Sequence, residues 1–229
     1  MNNNDGMCGR FCLAYPRSSL IDWYHAATMP EIEPRYNIAP TTGIVAIRDS
    51  ITGRAGSMMR WGLIPHWVKD PKKLPLLFNA RAESLAVKPL FKNAFRWQRC
   101  LIPASGFYEW KPLAEGKSKQ PFFISAKDGN PLSFAGIWET AMVDEVVIDS
   151  CAIITTSSNA LMRSIHDRMP VIIPPESWDN WLTPSQLPDD VLSSILKPCS
   201  SEKMQFWAVS PAVGRISNQG EQLIQPVNE

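Results

Sequence analysis

The sequence predicts an α+β fold, a single domain of strongly curved antiparallel or mixed β-sheets, barrel-like, with helices at the periphery. Three observations predict it. Several runs rich in Ile, Val, Phe and Trp have strand character, and hairpin-type turn residues separate some of them. No repeat, low-complexity tract or Gly/Ser linker divides the 229 residues, a length that buries a substantial core without staples.

The elements follow in order along the chain. A helix is expected from Ser18-Ser19, whose hydroxyls suit an N-cap, through His25, ending before Pro30. Strands are expected at Gly43 to Ile47, Ser57 to Trp61, Cys100 to Trp110, Pro121 to Ala126, Ser133 to Glu139 and Val146 to Thr156. Thr52-Gly53 and Asp128-Gly129-Asn130 read as hairpin turns, which join antiparallel neighbours. Short helices are expected at Leu90 to Trp97, Ser158 to Ser164, Pro175 to Leu182 and Pro188 to Leu196, and a last strand at Met204 to Val209.

Composition excludes several classes. With 45% hydrophobic and 20% charged residues the chain is neither disordered nor fibrous. Five cysteines, Cys8, Cys12, Cys100, Cys151 and Cys199, form an odd set without a Cys-x-x-Cys pair, which fits a reducing, cytoplasmic setting. No apolar run approaches the roughly 18 residues of a membrane span. Three scattered histidines give no metal-ligand spacing, and neither metal nor cofactor is expected. The net charge of +1 is uneven: residues 60–99 hold nine basic side chains against Asp70 and Glu83, leaving the remainder acidic. Trp61, Trp67 and Trp97 lie in the same window, a combination found on solvated faces and on nucleic-acid-binding surfaces.

Four residues carry candidate chemistry. Cys8 follows Met7, and if it became the first residue it would offer a thiol and a primary amine on adjacent carbons, able to trap an aldehyde as a thiazolidine. Asn79 precedes Arg81 by two positions, so the two share a face if the chain is extended there, the alternative being a side-chain-bonded turn. Glu109 lies between Tyr108 and Trp110. Buried, it would have a raised pKa useful for proton transfer; on an amphipathic strand it would face solvent. His166 stands beside Asp167 and Arg168 and is the candidate proton carrier among the three histidines.

These segments resemble the SRAP family, the SOS response-associated peptidases or abasic-site processing proteins. The resemblance rests on Met7-Cys8-Gly9-Arg10-Phe11, Arg35-Tyr36-Asn37-Ile38-Ala39-Pro40, Trp61-Gly62-Leu63-Ile64-Pro65, Asn79-Ala80-Arg81-Ala82-Glu83, Gly106-Phe107-Tyr108-Glu109-Trp110, His166-Asp167-Arg168-Met169-Pro170 and the closing Asn218-Gln219-Gly220 to Gln225-Pro226-Val227. It implies a monomer that recognises abasic sites in single-stranded DNA, with or without an adjoining duplex, and links itself to the ring-opened sugar. By the same resemblance Cys8 supplies amine and thiol, Asn79 orients amine and sugar, Glu109 moves protons, and His166 assists ring opening. Arg10, Asn37, Arg81 and Lys88 are expected at the DNA, with the Trp67 region as a wedge at paired DNA. Val68 departs from the aromatic residue found there in some relatives.

The chemistry attaches a condition to Cys8. Residues 1–7 precede it, and while they remain it has no free amine. Translation from Met7 with methionine removal is the favoured route; self-cleavage before Cys8, an autopeptidase activity, is the second, and persistence of the extension is the third. The domain is accordingly expected to span residues 8–229. Two other functions compete: a cysteine peptidase or amidohydrolase using Cys8, Glu109 and His166, and a non-catalytic single-strand binder using the tryptophans and the basic window.

Overall fold

The computed structural model describes residues 8–113, 118–185 and 187–227. The expected α+β architecture is present, and one sheet closes on itself. Five strands form the ring: β3 (Gly43–Ser50), β4 (Gly53–Trp61), β6 (Arg99–Ala104), β9 (Leu132–Val143) and β10 (Val146–Ser157). Pairing runs β10–β4–β3–β6–β9 and back to β10, antiparallel throughout except between β4 and β10. Closure leaves this ring without free edges.

Strand β10, 12 residues long, continues past its pairing with β4 and β9 and collects two further partners. Beyond β4, β5 (Asn79–Arg81) pairs parallel to it, with Ile153 opposite Asn79. Beyond β9, β11 (Arg168–Pro170) pairs antiparallel, with Ser157 opposite Arg168. Both motif segments are therefore fixed to one end of one strand.

A second, antiparallel sheet has the order β12 (Met204–Ala208), β8 (Lys119–Ala126), β7 (Gly106–Pro112), β1 (Phe11–Leu13) and β2 (Arg35–Ile38). Its inner face meets the barrel through aromatic edges: Phe11 to Trp61 at 5.2 Å and Phe107 to Phe134 at 5.9 Å between ring centroids. Its outer face is also buried, because Tyr108, Cys12 and Phe123 pack under Val209, Val213 and Leu223 of the C-terminal segment. The first four residues of β7, Gly106 to Glu109, are thus buried whichever way they point.

Four helices lie at the periphery of the described residues: α1 (Arg17–Tyr24), α2 (Pro89–Trp97), α3 (Trp178–Leu182) and α4 (Asp189–Ile195). None is long and apolar enough to cross a membrane.

Several sequence expectations need correction. The run Cys100 to Trp110 is two strands in different sheets, broken at Ser105, whose N–H donates to the Cys12 carbonyl at 2.7 Å and whose Oγ accepts from the Ala14 N–H at 2.8 Å. Asp128-Gly129-Asn130 turns the chain, but from β8 into β9, which belong to separate sheets and do not pair. The expected Thr52-Gly53 turn does join β3 to β4, and a second tight barrel hairpin is at Asp144 and Glu145, both with positive φ (48° and 65°), between β9 and β10. Helix α1 starts at Arg17 behind Pro16 without a side-chain cap, so Ser18 and Ser19 lie inside it. The expected helix Ser158 to Ser164 shrinks to one 3₁₀ turn, Met162–Ser164, because the Asn159 Oδ1 accepts from the Met162 N–H at 2.9 Å and holds the preceding residues in a loop.

Candidate active site

The site begins with the register of β1 on β7. Phe11 faces Phe107 and Cys12 faces Gly106, and the Tyr108 N–H donates to the Arg10 carbonyl at 3.0 Å. Continued toward the N-terminus, this alignment runs residues 8 and 9 past Glu109 and Trp110. Cys8 then takes a left-handed φ of 37°, and its backbone N–H donates to Glu109 Oε1 at 2.6 Å. Two residues 101 positions apart are joined directly.

Alternation on β7 explains the burial of Glu109. It shares a face with Phe107, toward the barrel, while Tyr108 points into the outer cluster. Only 1% of Glu109 is exposed, and burial pushes its carboxyl up to about 8. The nearby Asp167 carboxylate acts in the same direction, whereas the N–H groups of Cys8 and Trp110 and the charge of Lys119 oppose it. Cys8 has no exposed surface, and burial followed by the charge of Glu109 pushes its thiol well above the ordinary value. At neutral pH Glu109 holds a proton that a carboxyl in water would lose, and the Cys8 thiol is held still more firmly in its protonated form.

Asn79 and His166 approach from β10. The ring of Phe78, beside Asn79, lies 3.9 Å from where a β-carbon on Gly9 would sit, so β5 passes next to the Cys8 turn. The Arg168 guanidinium makes a two-point pair with Glu83, at 2.5 and 3.0 Å, and donates to the Thr155 carbonyl at 2.8 Å. This pair ties β11 to the turn after β5, and with it the loop carrying His166. His166 Nδ1 is 3.0 Å from the Arg168 N–H and 3.0 Å from Asp167 Oδ1. A neutral ring accepts from the amide and presents Nε2–H; a protonated ring donates to Asp167. The Arg168–Glu83 pair had no signal in the sequence, since its members are 85 positions apart.

The expected DNA contacts divide into two groups. Arg81, Lys88 and Trp67 are exposed, Trp67 by 54%. Asn37 does not reach the surface: it is 1% exposed, its Nδ2 donates to the carbonyls of Val213, Arg215 and Asn218, and its Oδ1 accepts from Arg10 Nη1 at 2.9 Å. Arg10 is occupied as well, donating to the Val213 carbonyl at 2.9 Å and the Gly214 carbonyl at 3.3 Å. Together they fasten the C-terminal segment over β7. Asn37→Ala should therefore cost about 2–3 kcal/mol of stability, measured by urea unfolding, because it strands several carbonyls and a guanidinium.

The basic window is likewise partly internal. Arg99 is 3% exposed and donates to the carbonyls of Phe95, Arg96, Trp181, Thr183 and Ser185, and Trp61 is buried in the core. Among the described residues no group of three or more His, Cys, Asp or Glu side chains is arranged to hold a metal ion. A cavity of about 370 Å³ between Trp23, Trp178, Pro174 and Met204 includes none of the four candidate residues.

The pattern described as SOS response associated peptidase (SRAP) matches residues 7–216. The chain belongs to the SRAP family. Among SRAP relatives it is 42% identical to the abasic site processing protein YoqW of Bacillus subtilis, over 96% of this chain and 99% of that one. It is 32% identical to the abasic site processing protein YedK of Escherichia coli, over 96% and 100%. The fold is shared by a crystal structure of a Bacteroides thetaiotaomicron protein, with a TM-score of 0.85 and 25% identity over 96% of this chain and 100% of that one. The SRAP relatives named here are abasic site processing proteins, and the chain stands in that family along nearly its whole length.

Proposed function

We propose that this SRAP protein, as a monomer starting at Cys8, binds single-stranded DNA at an abasic site and joins covalently to the ring-opened deoxyribose aldehyde, shielding the lesion. The observation that carries this reading is the 2.6 Å contact between Cys8 N and Glu109 Oε1. In the full chain that nitrogen is an amide. In a chain beginning at Cys8 it is the α-amine, and amine and carboxyl share one proton.

Two arrangements of that proton are possible, ammonium with carboxylate or amine with carboxylic acid. Burial, the largest influence on Glu109, penalises charge and so favours the second. The neutral amine is the nucleophile. It adds to the C1′ aldehyde to give a carbinolamine; the Glu109 carboxylic acid then protonates the departing hydroxyl, which leaves as water, giving an iminium and a carboxylate. That carboxylate takes the S–H proton as the Cys8 sulfur bonds to C1′. The thiazolidine closes and Glu109 regains its proton, so the net change is loss of one water. A thiol held protonated by burial needs this acceptor.

Asn79 orients the amine and sugar from β5. His166 donates a proton to the ring oxygen as the sugar opens. Residues 1–7 leave either because translation starts at Met7 and the methionine is excised, or because the protein cleaves itself ahead of Cys8.

Arg81 and Lys88 hold the phosphate backbone. Since each neutralised phosphate on a single strand contributes about 0.7 to the slope of log affinity against log salt, Arg81→Ala should lower that slope by about 0.7 while leaving adduct formation possible at saturating DNA. Intact mass after incubation with abasic single-stranded DNA tests the whole reading. One oligonucleotide per chain, less one water, on a protein starting at Cys8 is expected. A free protein that turns over amide substrates beyond a Cys8→Ala control would replace it with a peptidase.

A further inference from the structure

Glu109 has a counterpart: among the described residues Glu139 is the other buried carboxylate, 2% exposed. It lies on β9 directly across from Ser150 on β10, and both reach out of the barrel to the loop that follows β4. Ser150 Oγ accepts from the Ile64 N–H at 2.8 Å. Glu139 Oε2 accepts twice from His66, from its backbone N–H at 2.6 Å and from its ring Nδ1 at 2.8 Å. A carboxylate in a dry interior is retained only when such donors replace its water, so the pair fixes the loop as firmly as the loop satisfies the pair.

Apolar contacts complete the attachment. Ile64 and Val68 are 4% and 6% exposed and form a satellite core with Ala141 of β9, with Leu74, Val143 and Ile148 packed around it. The smaller Val68 is thus an anchor of the loop. Trp67 stands between the His66 and Val68 anchors, more than half exposed, with nothing else from this stretch but His66 and Lys69 open to solvent. The loop has little freedom except at the indole it presents.

We propose that Glu139, acting through His66 and helped by Ser150, is a positioning residue that holds Trp67 at the angle needed to engage DNA where a single strand meets a duplex. This rests on the reading of the Trp67 region as a DNA contact. The chemistry at Cys8 is separate from it, since none of these contacts involves Cys8, Asn79, Glu109 or His166.

The test measures adduct formation by the chain beginning at Cys8, on abasic DNA at a single-strand/duplex junction, against DNA concentration. Glu139→Ala should raise the half-saturating concentration roughly tenfold, the size of one lost aromatic contact with a base, and leave the rate at saturation within about twofold. Adding Trp67→Ala should cost nothing further, because the two residues act as one unit. Glu139→Gln keeps an oxygen that accepts from the His66 N–H, and should recover most of the affinity. Additive losses, a fall in the saturated rate, or a Gln variant as poor as Ala would each overturn the proposal.

If Trp67→Ala alone has no effect, the DNA contact fails while the positioning claim is still decided by amide exchange at Ile64, His66 and Val68. Exchange there at least about tenfold faster in Glu139→Ala than in Glu139→Gln supports it, and equal exchange sinks it. Should Glu139→Ala not fold, the exchange comparison is made with Ser150→Ala, which frees the Ile64 N–H and removes only a long bond, 3.4 Å, to the Glu139 carbonyl: acceleration that extends to His66 and Val68 supports positioning, and none there rejects it.

Discussion

Cys8→Ala, prepared as a chain beginning at residue 8, is expected to give no DNA adduct that survives denaturation, while its affinity for undamaged single-stranded DNA stays within about twofold because phosphate contacts supply most of that affinity. The loss should be complete for a chemical reason. The alanine chain keeps the α-amine and Glu109, so it can still form an imine with the aldehyde, but an imine in water hydrolyses. Only a sulfur held on the neighbouring carbon can trap it, at the effective concentration that an intramolecular group enjoys. Reduction with borohydride should therefore recover an adduct from Cys8→Ala and from no chain that retains residues 1–7. A stable adduct formed by Cys8→Ala without reduction would remove the thiazolidine from the scheme.

Glu109→Gln should slow adduct formation by roughly 10²- to 10³-fold, the usual worth of a positioned proton-transfer group. Its pH profile is the sharper measurement. In the wild-type chain beginning at Cys8 the amine–carboxyl pair is reactive with one proton; a second proton blocks the amine, and loss of the last removes the acid. The rate is expected to be bell-shaped, its two limbs belonging to the pair and not to either group alone. The glutamine variant keeps the acid limb and loses the alkaline one.

The same residue acts on stability. In the full chain Glu109 is raised to about 8 from an ordinary value of 4.5, so between those values the native state holds a proton that the unfolded chain releases. Its contribution is fully present below pH 4.5 and is lost as pH rises through 8, an effect on the order of a few kcal/mol that Glu109→Gln should flatten in urea titrations across that range. A steeper fall in the variant would show that the carboxyl is ionised when buried.

The four candidate residues stood out because each lies in a compact motif, and the structure joins Cys8 directly to Glu109 and pairs the segments beside Asn79 and His166 to one end of β10. The long strands of the barrel were legible too, as β-branched and aromatic runs. Strands β1, β5 and β11, of three residues each, were not: a stretch that short has no period to read, and it is extended only because β7 or β10 pairs with it. The face of Glu109 could not be decided locally either, since both sides of this part of β7 are covered by remote parts of the chain: the barrel lies on the Phe107 and Glu109 side, and a C-terminal segment roughly a hundred residues away lies on the Tyr108 side. Arg10 and Asn37 read as surface polar residues for the same reason. Their partners are backbone carbonyls of residues 213–218, and carbonyls have no sequence signature.

The left-handed φ at Cys8 bears on the removal of residues 1–7. A positive φ is costly for a residue with a side chain because the preceding carbonyl is forced against its β-carbon, a penalty of about 1–2 kcal/mol. Once the chain starts at Cys8 there is no preceding carbonyl, and the angle costs nothing. Loss of residues 1–7 would therefore release a torsional load as well as an amine, and the nitrogen could stay on Glu109 in the shorter chain without steric opposition. The native turn is one that a first residue occupies more comfortably than an eighth.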